Sequence, residues 1–159
     1  MTRHTLAALV STLAFTGAAH AAVLSESNIS TADAQKLATA AVAACQAKGY
    51  NVSASVVDRA GLLKAFVRGD NAGPHTIEAS RAQAFTSASA KAPTLAMMEN
   101  AQKNPGAANL TDIPGFLLLG GGVPIKAGAN VIGAIGVAGA PGGNLDAPVS
   151  YTHLRAHET

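Results

Sequence analysis

Residues 117–146, LLLGGGVPIKAGANVIGAIGVAGAPGGNLD, constrain this chain more than any other stretch. They hold nine of its sixteen glycines, and their only charged residues are Lys126 and Asp146. Glycine at this density within apolar strand sequence lets backbone come close to a ligand, another strand or another subunit. A phosphate-binding loop is excluded by context. Gly133, Gly136 and Gly139 lie within a strand rather than between a strand and a helix, and no Gly-Lys-Ser/Thr follows Gly120, Gly121 and Gly122. The residues themselves fit a tight sheet bend followed by closely packed strands.

The two ends of the chain read differently from its middle. Arg3 and His4 form a short basic region, residues 6–19 are apolar, and Ala19-His20-Ala21 is a small-x-small cleavage site. Residues 1–21 are therefore expected to be a secretory signal peptide, cut before Ala22. The apolar run is too short to favour a membrane anchor, so no span is expected after cleavage. At the other end, residues 149–159, VSYTHLRAHET, change composition abruptly. They resemble the translation of a sequencing adapter, which would leave residues 22–148 as a C-terminally truncated domain. Of the five histidines, His4 and His20 fall in the signal and His153 and His157 in the tail. His75 is the imidazole that remains, so a His-pair metal site is not expected.

Residues 22–148 have the length of one domain. They carry nine Lys and Arg against eight Asp and Glu, a net charge of about +1. That balance offers no electrostatic footprint for nucleic acid. Cys45 is the single cysteine and lies in an Ala-rich helical pattern, where a small buried apolar role is expected. The absence of Trp points to a core of Ala, Val, Ile and Leu.

Ser30 and Asp33 have the spacing of a helix cap, and Ala34, Leu37, Ala38, Ala41 and Cys45 recur at helical spacing. Gly49 stops that helix, predicted over 31–48. Residues 50–58 alternate, with Val52, Ala54 and Val56 on one face and Asn51, Ser53 and Ser55 on the other. That pattern predicts a strand buried on one side, and residues 62–68 return as its hairpin partner. A second helix is predicted over 76–90, with Ile77, Ala84, Phe85 and Ala88 facing inward, and a third over 95–103. Residues 107–115 read as loop. Strands are expected at 116–119, 123–125 and 131–137, and residues 144–146 as the capped start of a closing helix. The order α-β-β-α-α-β-β-β-α predicts an α+β domain with a five-stranded antiparallel sheet flanked by helices.

His75 follows Gly73-Pro74 at the front of the second helix, on a stiff and exposed loop end. One histidine suffices as an axial haem ligand but not as a structural zinc site. By pattern alone, a surface or helix-capping histidine is the commoner outcome. Arg81 and Lys91 share nearly one helix face and can meet a carboxylate or stay solvated. Met97 and Met98 are soft iron ligands or packing residues. No nucleophile elbow is present, and Cys45 sits mid-helix in an apolar setting, so no covalent mechanism is assigned.

Several of these motifs together resemble the GlcG/HbpS-like family, described as haem-binding or haem-degrading and related to the C-terminal domain of PduO-type adenosyltransferases. The residues that carry the resemblance are the V-V-D-x-x-G hairpin at residues 56–61, the helix segment 82–87, GGGVPI at 120–125 and IGAIGVAG at 132–139. The chain departs from the family pattern at Gln83, where a lysine is usual, and at Ala138, where a serine is usual. The closing helix is replaced by the adapter-like tail. The resemblance implies an α+β domain that assembles as a symmetric homo-oligomer, often an octamer, with haem bound by some members.

The combined reading is an exported, periplasmic or secreted, oligomeric protein that binds a small molecule, with haem or a related tetrapyrrole as the leading cofactor. His75 is then the candidate axial iron ligand, inferred and not carried over from a family motif. Arg81 is the propionate partner, and Gly121, Gly122 and Pro124 form the close-packed pocket wall. The alternatives are an accessory protein or enzyme acting on a small organic acid, and a structural oligomerisation module without turnover.

Overall fold

The structure, a computed structural model, describes residues 22–141. The expected signal peptide, the closing helix at 144–146 and the tail at 149–159 lie outside the described residues. The elements are α1 (Thr31–Gln46), β1 (Ser53–Asp58), β2 (Leu63–Arg68), α2 (His75–Ala90), α3 (Thr94–Lys103), a 3-10 segment (Pro105–Asp112), β3 (Gly122–Ala127) and β4 (Asn130–Ala138). The sheet order is β2-β1-β4-β3, and all its pairings are antiparallel. α1 packs on one face of the sheet, and α2 on the other. This is the predicted α+β class.

The start of α1 follows its sequence signals. Ser30 Oγ accepts from the Asp33 backbone N–H at 3.1 Å. Ala34, Leu37, Ala38, Ala41 and Cys45 form the buried stripe, and the Cys45 thiol is enclosed in the core. β3 and β4 join through a tight turn at Gly128, whose φ of +59° suits glycine.

The described sheet has four strands rather than five. Residues 116–119 were expected to pair as a strand, but helix hydroxyls take their backbone groups instead. The Leu117 N–H donates to Thr86 Oγ1 at 2.8 Å, and the Leu119 carbonyl accepts from Thr94 Oγ1 at 2.6 Å. A strand needs those groups for its ladder. Residues 105–112, expected as loop, wind into the 3-10 segment after Asn104 Oδ1 accepts from the Gly106 N–H.

Two burial expectations are also corrected. β1 is covered on both faces, since Ser53 and Ser55 are as buried as Val56. The reason is a pair of hydroxyl contacts to α2, Ser53 with Thr76 at 2.7 Å and Ser55 with Ser80 at 2.8 Å. The buried residues of α2 are accordingly Thr76, Ser80, Gln83, Ala84, Thr86, Ser87 and Ala88. Ile77 remains exposed, and Phe85 sits at the helix flank, edge-on to Phe116 at 6.2 Å between ring centroids.

Glycine decides how close α2 comes. A Cβ at Gly136 would overlap the Ser80 carbonyl oxygen and lie 2.6 Å from the Ala84 nitrogen. One at Gly122 would overlap the Gln83 carbonyl oxygen. The helix backbone therefore rests on strand backbone with no side chain between. Gly136→Ala is expected to destabilise the fold by about 3 kcal/mol. Gly128→Ala meets nothing within 4 Å and is expected to cost roughly 1 kcal/mol for its positive φ alone. Urea unfolding of the two variants would rank them in that order, and equal losses would refute the role assigned to close packing.

Candidate functional site

The loop that precedes α2 is fixed from the sheet edge. Arg68 donates from both Nε and Nη2 to the Ala72 carbonyl. Asn71 adopts a φ of +60°. Thr76 Oγ1 donates to the Gly73 carbonyl at 2.6 Å, which ties the first turn of α2 back to that loop. His75 is the first residue of the helix and is exposed. Its ring folds over Gly73, where an added Cβ would lie 2.7 Å from Cε1 and 2.9 Å from Nδ1. Gly73 thus makes room for the imidazole.

At 100° per residue, His75, Ala79, Ala82 and Thr86 form one stripe along α2, with Gln83 between that stripe and the sheet. The bend before β3 lies on this same flank, because Thr86 holds Leu117 and Gln83 Nε2 donates to the Gly120 carbonyl at 3.0 Å. His75 stands roughly 12 Å along the helix axis from Gln83, eight residues at 1.5 Å each.

Thr94 clamps the bend. Its Oγ1 donates to the Leu119 carbonyl at 2.6 Å and accepts from the Gly122 N–H at 2.9 Å. Gly121 adopts a φ of +134°, and a Cβ there would overlap the Val137 carbonyl oxygen and approach both carboxamide atoms of Gln83 at 2.9 Å. Gln83 is fully buried, and its Oε1 has no hydrogen-bond partner among the described residues. That oxygen is an unused acceptor packed against Gly121.

The five residues selected from the sequence therefore separate. Gly121 and Gly122 share the α2 flank with His75, but both are buried, and their missing side chains accommodate the protein's own helix and Thr94. Pro124 is buried in β3 opposite Ala134. Arg81 lies about 120° around α2 from His75, six residues on. Its guanidinium donates from Nε to Glu78 Oε2 at 2.9 Å. Lys91 ends the helix in the left-handed conformation, with a φ of 54°. Met97 and Met98 are half-buried in α3. Sequence reading did not identify Thr94 as a clamp. Its signal was a Thr after Pro93, which also reads as an ordinary helix cap. Among the described residues no cluster of three or more His, Cys, Asp or Glu could hold a metal ion, and no helix is long and apolar enough to cross a membrane.

The sequence profile of the family described as haem degrading protein HbpS-like matches residues 29–153. The chain belongs to the HbpS-like family. Among solved structures, a double-substitution variant of HbpS from Streptomyces reticuli is 36% identical, with a TM-score of 0.80, over 92% of this chain and 98% of that one. The protein ORFY of Klebsiella pneumoniae is 25% identical, with a TM-score of 0.81, over 89% and 99% of the two chains. A complex of PduOC with haem shares the fold at 24% identity and a TM-score of 0.72, over 81% and 94%. No curated protein sequence matches this chain.

Thr94→Val would leave the Leu119 carbonyl and the Gly122 N–H without partners. A loss of about 1–3 kcal/mol is expected, seen as a lower urea midpoint, while Thr94→Ser should keep most of the stability. Equal midpoints for Thr94→Val and the unmodified protein would show that the clamp is dispensable.

Proposed function

We propose that this protein is an exported binder of haem or a related tetrapyrrole, with His75 as the axial iron ligand. Membership of a family described as haem-degrading carries the reading, and the haem complex of the similarly folded PduOC supports it. On this chain the support is the donor set. His75 is an exposed imidazole at a fixed loop–helix junction, and one neutral imidazole is enough for axial ligation. Ala79 and Ala82 continue the stripe of α2 that begins at His75 and runs toward the bend at Gly120, so no large side chain follows the imidazole on that stripe.

Arg81 stands on the adjoining flank and would reach a propionate by releasing Glu78. That pair is exposed, so the exchange costs little. Gly121, Gly122 and Pro124 would act by holding the bend in place beneath the ligand rather than as its bare wall. Bound haem would supply redox and oxygen chemistry, while the protein supplies the ligand, the orienting surface and the partner charge. Assembly into a homo-oligomer, with an octamer as the family-based form, belongs to the same proposal, as does cleavage before Ala22 on export to the periplasm or beyond.

Hemin titrated into the purified protein should give a saturable Soret shift at one equivalent, and His75→Ala should abolish the shift without changing the melting temperature. No shift at stoichiometric hemin would reject haem binding. A shift that survives in His75→Ala would reject the assigned ligand. For the exported chain, intact-mass measurement should find Ala22 at the N-terminus, and retention of residues 1–21 would refute the cleavage site.

A further inference from the structure

The orientation of the His75 ring is set by one contact. The three atoms nearest to a Cβ built on Gly73 all belong to that ring: Cε1 at 2.7 Å, Nδ1 at 2.9 Å and Nε2 at 3.8 Å. The Cε1–Nδ1 edge therefore lies against the bare Cα of Gly73, and Nε2 is turned away from it. His75 is exposed, so this contact orients the ring more than any enclosing wall does.

The backbone of Gly73 does not itself require glycine. Its φ lies outside the left-handed region, and alanine fits there. What alanine changes is the space for the ring. Either the loop or the imidazole must give way, and hydrogen bonds decide which. The Gly73 carbonyl accepts from Thr76 Oγ1 at 2.6 Å and from the Thr76 N–H at 3.0 Å. The Ala72 carbonyl accepts from both Arg68 donors, and the Ala72 N–H donates to the Gly69 carbonyl at 3.1 Å. Moving the loop would break several of these bonds, whereas turning an exposed ring about its own χ angles breaks none of them. The ring yields, and Cε1 moves from 2.7 Å to an ordinary contact of at least 3.4 Å.

We propose that Gly73 is a positioning residue for iron ligation: its missing side chain seats the Cε1–Nδ1 edge of His75 and so presents Nε2 as the ligating nitrogen. The inference rests on His75 being the axial ligand in the haem reading above. A neighbour that fixes the ring of a ligating histidine without touching the metal changes metal affinity by about ten- to a hundredfold when it is altered.

Gly73→Ala tests this in the full chain, with and without hemin. In the haem-free protein, NMR should show a nuclear Overhauser contact between the His75 ring Hε1 and the Gly73 Hα protons. In Gly73→Ala the His75 ring signals should shift, and the melting temperature should not fall. Hemin affinity should drop by about tenfold or more, with the Soret maximum displaced from its position in the unmodified protein. Unchanged affinity and Soret position in Gly73→Ala, with binding still lost in His75→Ala, overturn the positioning role and leave the haem reading intact. Absence of the Overhauser contact, or a lowered melting temperature in Gly73→Ala, also overturns the positioning role alone. No Soret shift in the unmodified protein rejects the haem reading and this proposal together.

Discussion

The backbone of α2 rests on the backbone of β3 and β4 at Gly122 and Gly136, and the rest of the molecule is arranged around that contact. With no Cβ between them, the helix lies closer to the sheet than an ordinary layer of Leu or Val would permit. Close approach leaves little volume for side chains at the interface. Most of the residues there are small, several of them hydroxyl-bearing, with Gln83 and Val57 as the larger exceptions. Ser53 pairs with Thr76 and Ser55 with Ser80, so each buried oxygen finds a partner across a narrow gap. On the other face, α1 meets the sheet through a conventional aliphatic core.

The same contact explains the bend before β3. Once Gln83 and Thr86 are pressed against the sheet edge, their polar atoms reach the incoming chain at Gly120 and Leu117. Thr94, at the start of α3, completes the clamp from the other side. A segment whose apolar sequence suits a strand is thereby held as irregular structure, because helix side chains outcompete a fifth strand for its backbone groups. The glycine concentration in residues 117–146 thus has an internal explanation through much of its length: Gly121, Gly122, Gly133, Gly136 and Gly139 each meet carbonyl oxygens of this chain.

For function, the two faces of the sheet offer different chemistry. The α2 side presents an exposed imidazole on a rigid junction and a sealed polar bend along one helix flank. The α1 side presents a conventional aliphatic core. Arg81 stands about 120° around α2 from His75, paired with Glu78, so it can serve a ligand on the α2 side only by releasing that exposed pair.

The sequence by itself determined the α+β class, the course of α1 and its buried Cys45, the first hairpin, the final hairpin and the family. These depend on local signals: caps, turn glycines and period-two or period-3.6 apolar patterns, which act within a few residues of where they are read. It did not determine the inward face of α2, the double burial of β1, the loss of a strand at 116–119, or the separation of Arg81 from the glycine bend. Tertiary structure decided those, because each depends on which distant surface supplies a partner. A serine reads as exposed until another hydroxyl stands 2.8 Å away. An apolar run reads as a strand until a threonine takes its N–H. The glycines read as a ligand cradle until a helix 37 residues earlier in the chain fills the space, as Gln83 does at Gly120.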